Sequence, residues 1–229
     1  MRKVYYALLI ILIIFILLLF ILAPKNDAKQ MLKDKIVSEL EYIENVVFKI
    51  IKKYMSEEYI VDGKLEWNII GEDLEPLRKE INVFINDFNE KGFSENDIIE
   101  FEKRLIEVNS KFEEKNENNF LFSLADLFIL IPDYEEKYIE KTAETSIRKI
   151  KSFNLYAVII VLQGDLNSAN KFIELAENEY VNLIKYNEYL NENSFYVERI
   201  YQTLNEFKIS FVSEDLNAII YNYLRTLGI

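Results

Sequence analysis

Carboxylates are the side chains this sequence supplies most freely for chemistry, and they crowd in two places. Glu135, Glu136 and Glu140 share one stretch, and Glu113, Glu114 and Glu117 share another. Acids held close together can trade a proton or hold a metal. A carboxylate-bridged metal bundle, however, pairs inward Glu residues with Glu-x-x-His, and the chain has no histidine. A hard, oxygen-bound ion such as calcium would be met by a D-x-D-x-D-G loop, and none occurs. Both clusters therefore read as solvated helix faces.

The other routes to chemistry close in the same way. Without cysteine there is no disulfide, Fe–S cluster, Cys/His zinc site, thiol nucleophile or lipid-bearing cysteine. Without histidine there is no Ser-His-Asp or Cys-His arrangement. Ser123, Ser146 and Ser210 have no local base. Neither G-x-x-x-x-G-K-S/T nor G-x-G-x-x-G is present, so nucleotide binding has no support. No catalytic, cofactor-binding or metal-binding residue is named, and no cofactor is expected. An enzyme here would have to work with Glu, Asp, Lys or Tyr alone, and the chain is read as a non-enzyme.

Aromatic residues carry more information. The chain has 15 Tyr and 16 Phe. Many fall on the apolar stripes described below and are expected in the core. Tyr186, Tyr189, Phe195, Tyr196, Tyr201, Tyr221 and Tyr223 cluster in the C-terminal half. Tyrosine suits sites where the ring is covered and the hydroxyl stays wet, as at interfaces. Tyr186, Tyr189, Tyr196 and Tyr201 are the candidate residues for docking a protein partner.

The charge balance points away from nucleic acid. Asp plus Glu number 39 against 27 Lys plus Arg, a formal net charge of −12, and nucleic-acid binding needs a basic surface to displace counterions. The strongest single signal lies at the start. Val4–Ala23 reads VYYALLIILIIFILLLFILA, without a charge, Pro or Gly. At about 1.5 Å per residue such a helix spans roughly 30 Å, the hydrocarbon thickness of a bilayer. A cleaved signal peptide has a shorter core and a small-x-small site. Here Ile21 precedes Ala23 at the −3 position and Pro24 follows it. An uncleaved transmembrane signal-anchor over 4–23 is expected, with a three-residue tail before it. Arg2 and Lys3 ahead of the span favour a cytoplasmic N-terminus, against Lys25 and Lys29 behind it. The body would then lie outside the cytoplasmic membrane.

Those side chains must be positioned by helices, since only 5 Gly and 3 Pro punctuate the chain. Ile36, Leu40, Ile43, Val47 and Ile50 step by three and four within a helix expected over about 27–55. Asp62-Gly63 is a turn signal. Trp67, Ile70, Leu74, Leu77, Ile81, Phe84 and Phe88 form a heptad stripe that runs past Pro76. Ser94 should cap the next helix, lined inside by Ile98, Phe101, Leu105, Val108 and Phe112. Pro132-Asp133 should break the chain, and a long helix should run over about 134–162. Asp165 should cap the helix after Gly164.

Leu65–Phe112 also lies over Gly164–Phe211 at a constant interval of 99 residues, with the apolar positions in register. A three-residue slip then sets Phe120 on Leu216. The expected architecture is all-α: a transmembrane helix followed by two tandem, duplicated, up-and-down helical bundle units over 24–131 and 132–229. The turn at Gly164-Asp165, with Ala157, Ala169 and Ala176, resembles one tetratricopeptide hairpin. No 34-residue period accompanies it, so it reads as a tightly packed helix start. With its anchor, LADLFILIPDY (124–134) and QGDLNSA (163–169), the chain resembles uncharacterised membrane-anchored or lipoprotein-like all-helical proteins of Gram-positive bacteria. That resemblance implies an address and no chemistry. The function expected is that of a single-pass, membrane-anchored interaction or scaffold protein at the outer face of a bacterial cytoplasmic membrane. The alternative is an extracytoplasmic ligand-sensing bundle.

Overall fold

The apolar stripes become helices. A computed structural model describes residues 25–227, with side chains from Lys35 onward except at 81, 187, 188 and 227. Among these residues there are eight α-helices: α1 (Lys25–Met55), α2 (Trp67–Glu90), α3 (Glu95–Glu113), α4 (Glu117–Tyr134), α5 (Ala143–Leu162), α6 (Leu166–Leu183), α7 (Asn187–Val212) and α8 (Leu216–Leu227). The expected anchor, 4–23, lies outside the described residues. Among the described ones, no helix is long and apolar enough to cross a membrane.

The chain divides into two compact units, one up to Ser38 and one from Glu39 onward. In the first, the described part is helical and Ser38 Oγ donates to the Lys35 carbonyl. In the second, sequential helices pack on one another, α5 with α6 most extensively, and α5 also meets α8. Leu40, Ile43, Val47 and Ile50 of α1 are fully buried, as are Phe88 of α2 and Phe101 of α3. Ala157, Ala169 and Ala176 are fully buried where α5 meets α6. Small side chains there let the two backbones approach, as the tetratricopeptide-like turn implied.

Several elements differ from expectation. A short antiparallel ribbon joins α1 to α2, β1 (Ile60–Val61) with β2 (Lys64–Leu65), in the register Ile60↔Leu65. Asp62 and Gly63 both take positive φ, which suits a tight two-residue hairpin turn. Helix α2 passes through Pro76, as the stripe predicts. Pro132 does not end its helix: α4 continues to Tyr134 and widens into a π turn, Glu135–Ile139. The break comes at Glu140, which is extended, and α5 starts afresh at Ala143. Thr142 caps it reciprocally with Thr145.

Tertiary contacts explain the late break. Tyr134 donates its hydroxyl to the Asp97 carbonyl at 2.7 Å, and Tyr138 donates to the Asp97 carboxylate. The Tyr138 ring stacks on Phe93 at 3.9 Å, and Phe93 stacks on Phe88 at 4.4 Å. These rings hold the end of α4 over the turn that Ser94 caps, which outweighs the proline's local preference.

Helix starts repeat at one interval. Trp67 and Leu166 open α2 and α6; Glu117 and Leu216 open α4 and α8. Glu95 opens α3, and Ser194 follows the non-helical Asn193 inside α7. Each pair is 99 residues apart, and Lys115 and Glu214, also 99 apart, take φ of +52° and +54°. Phe120 and Ile219 are both buried, as are Leu124 and Tyr223. Under the expected slip, buried Phe120 would lie on Leu216, which is exposed.

One buried cluster makes a pH prediction. Lys91, almost wholly covered, donates to Glu39 at 2.5 Å and lies 4.0 Å from Asp87. Burial, and then the hydrogen bond to Asp87, raise Glu39 from its ordinary 4.5 to about 7 against the pull of Lys91. Between these values the folded chain holds a proton that the unfolded chain releases. The stability tied to that proton is present below the lower value and is lost as pH rises through the upper one. Urea denaturation should show stability falling from about pH 5 to about pH 8, with Glu39→Gln flattening the fall. An unchanged slope in the variant would contradict this assignment.

Candidate functional site

Along one side of helix α5 stand exposed Glu144 and the part-covered Arg148 and Lys151, positions three or four apart and therefore aligned, with buried Ile147 beside them. Across from it stands the start of α7. A cleft of about 410 Å³ lies between them, lined by Glu140, Lys141, Thr142, Ala143, Glu144, Tyr186 and Tyr189. A second, of about 180 Å³, adjoins it and shares Glu144 and Tyr189; Glu44, Ile147, Arg148, Lys151 and Tyr196 complete it. Three of the four nominated tyrosines, Tyr186, Tyr189 and Tyr196, thus meet on one groove. Their half-buried rings pack on a core of Ile147, Ile150, Leu183, Val197, Ile200 and neighbours.

Tyr201 is not among them. It lies five residues beyond Tyr196, which turns it about 140° around the helix. Its ring sits 5.4 Å from that of Tyr180, and it is exposed. Of the other aromatics in the cluster, Tyr223 is fully buried and belongs to the core, whereas Phe195 and Tyr221 are exposed.

The groove's charges are held in place from below. Arg148 donates Nε to Glu44 at 2.7 Å, Nη2 to Glu41 at 2.8 Å, and Nη1 to Glu135. Burial raises the Glu135 carboxyl, with Glu44 and Glu41 adding to it, more than Arg148 lowers it. One Glu135 oxygen, Oε2, is buried without a partner. Glu135 is therefore not on the solvated face expected of it: the π turn carries it inward to Arg148. Glu136 pairs with Lys149 and, at 3.3 Å, with Lys141. In the other acidic stretch, Glu113 meets Arg78, Glu114 meets Lys111, and Glu117 accepts from Tyr54. Among the described residues, no three acids gather to hold a metal.

Two phenols of the groove, Tyr189 and Tyr196, are pushed up. Burial and then the Glu144 charge raise Tyr189 to about 12, and burial likewise raises Tyr196. Both are hydrogen-bond donors at neutral pH. Lys151 moves the opposite way: burial lowers its ammonium, with Arg148 assisting and Glu44 opposing. Its amine lies 5.6 Å over the Phe48 ring.

The sequence nominates the tyrosines through their side-chain type. It does not nominate Glu44, Arg148, Lys151 or Asn154, which belong to no local motif. One signal was available: Asn154 interrupts the buried apolar face of α5 between Ile150 and Val158. No family model, curated protein or solved structure matches the chain.

Proposed function

We propose that this chain is a single-pass, membrane-anchored helical interaction protein at the outer face of a bacterial cytoplasmic membrane. The lipid bilayer is engaged through 4–23, the N-terminus is cytoplasmic, and the helical body is extracytoplasmic. A protein partner docks on the groove of Tyr186, Tyr189 and Tyr196. The observation that carries this reading is the gathering of those three tyrosines, with ordered charges around them, on one concave face. Half-covered rings with donor hydroxyls are what interface hot spots use. The anchor adds effective concentration towards neighbours in the same membrane. The helical body also reads as two tandem up-and-down units descended from a duplication, which the 99-residue interval between helix starts, positive-φ turn residues and buried positions supports.

Membrane fractionation tests the address. The full chain should stay in the pellet through alkaline carbonate, its body should be degraded by protease added outside spheroplasts, and deletion of 4–23 should release it. Extraction by carbonate, or protection of the body, would contradict the anchor or its orientation. The alternative reading, an extracytoplasmic ligand-sensing bundle, draws on the larger cleft, whose volume of about 410 Å³ falls within the usual small-molecule range.

A further inference from the structure

A buried carboxamide without a hydrogen bond and a lysine without an ion pair bound one cavity. Asn154 is fully buried, and neither its Oδ1 nor its Nδ2 finds a hydrogen bond. A buried carboxamide without hydrogen bonds loses its water and gains nothing in return, so its place in an apolar helix face asks for a reason. Three residues earlier, at the edge of that buried face, stands Lys151, whose amine lies over the Phe48 ring and makes no hydrogen bond or ion pair among the described residues. Both line a narrow pocket with Ile147, Ile150, Ile200, Leu204 and Thr226, of about 10 Å³, room for about one oxygen-sized group. Lys151 and Ile147 also line the adjoining 180 Å³ cleft, so the pocket continues that cleft inward.

We propose that this cleft binds a small organic monocarboxylate, with one carboxylate oxygen between the Lys151 amine and the Asn154 carboxamide and the hydrocarbon part against Ile147 and Tyr196. The site goes beyond the partner-docking reading and does not depend on it. A carboxylate oxygen accepts from both groups at once, which a cation could not do. Arg148 is already occupied by Glu41, Glu44 and Glu135, so it does not compete for the ligand. Glu144 lines this cleft as well as the larger one, so the second charge of a dicarboxylate is repelled there. The cleft is smaller than the roughly 300–1,000 Å³ of drug-sized pockets, which sets the ligand's size. Titration should follow. Burial and Arg148 favour the neutral amine, and Glu44 opposes them. A bound carboxylate, with Glu144, Tyr189 and Tyr196 around it, restores the ammonium, so binding takes up a proton at alkaline pH.

The test is calorimetry and thermal shift on the full chain in lipid nanodiscs, with hexanoate and benzoate as probes against hexanamide, hexylamine and adipate. Hexanoate or benzoate should bind and raise the melting temperature, and hexanamide, hexylamine and adipate should bind more weakly. Lys151→Met and Asn154→Leu should each weaken binding at least about tenfold, as loss of a charge-assisted hydrogen bond does. Without ligand, Asn154→Leu should be no less stable than the parent, since it removes an unpartnered buried group, and Lys151→Met should change stability little, since a thioether of similar length then lies against the Phe48 ring. No binding of either carboxylate at about 10 mM, where even weak millimolar affinity registers, would overturn the proposal. Equal binding of hexanamide, or full affinity in Lys151→Met, would overturn it too and leave Asn154 to a buried water.

Discussion

Arg148→Met should be among the most destabilising single substitutions in this chain, costing about 3–5 kcal/mol, the usual price of stranding a buried charge. The side chain's hydrocarbon stem is kept, so the loss reports on its charge. Glu44 and Glu135, both largely covered, would then face each other without a cation, while the more exposed Glu41 could turn to water. The sign with pH follows. Glu135 is already raised by burial, and without Arg148 it would rise further. A raised carboxyl stabilises the folded chain below its unfolded value and ceases to do so as pH rises through its folded value. Urea denaturation should therefore find the variant recovering part of its stability at about pH 5 relative to about pH 8. Adding Glu44→Gln and Glu135→Gln should restore much of the loss, since a polar cluster without net charge needs no arginine. A cost below about 1 kcal/mol, typical of exposed pairs, would show that the network is solvated.

Asp73→Ala should follow, at about 2–3 kcal/mol, the scale of hydrogen bonds to a charged group. Asp73 is buried on α2, where it accepts from Lys49 at 2.6 Å, Lys53 at 2.8 Å and the buried Tyr59 hydroxyl at 2.8 Å. Burial pushes its carboxyl up, yet the three hydrogen bonds and the Lys49 charge together hold it below its ordinary value. Its stabilisation is thus present above the unfolded value of about 3.8 and is lost as pH falls below it. The lysines are exposed enough to find water after the substitution; the Tyr59 hydroxyl is not. Asp73→Asn, which can still accept from Tyr59, should cost less than alanine. Equal losses for the two would mean that the carboxylate charge, and not the tyrosine bond, carries the contribution.

The sequence is legible where a side chain has a local use, and neither of these two networks is local. Ser94 and Asp165 were readable as caps because a short polar side chain before an apolar stripe has one local use, and Ser94 Oγ accepts from Asp97 N while Asp165 accepts from Ser168 N. The stripes of α2 and α3 were readable because their period is the helix's own. Pro132 was misread because its local preference is real and was overruled by Tyr134 and Tyr138, whose partners lie in the turn near Ser94 and Asp97. Glu135 was misread because its partner follows 13 residues later, and that partner's other acids lie more than 100 residues earlier. No local pattern encodes such a meeting. Of the groove, the tyrosines could be nominated by type, but the departure of Tyr201 depends on which face of α7 turns inward, and Asn193 interrupts that helix.

The groove as a docking face is the centre of the account. Photo-crosslinking in the host membrane tests it most directly, with a photoreactive residue replacing Tyr189 in one strain and Tyr201 in another. A discrete adduct at 189, absent at 201 and reduced when Tyr186 and Tyr196 are changed to Ala, is the predicted result. Adducts of equal yield at both positions, or at 201 alone, would contradict it.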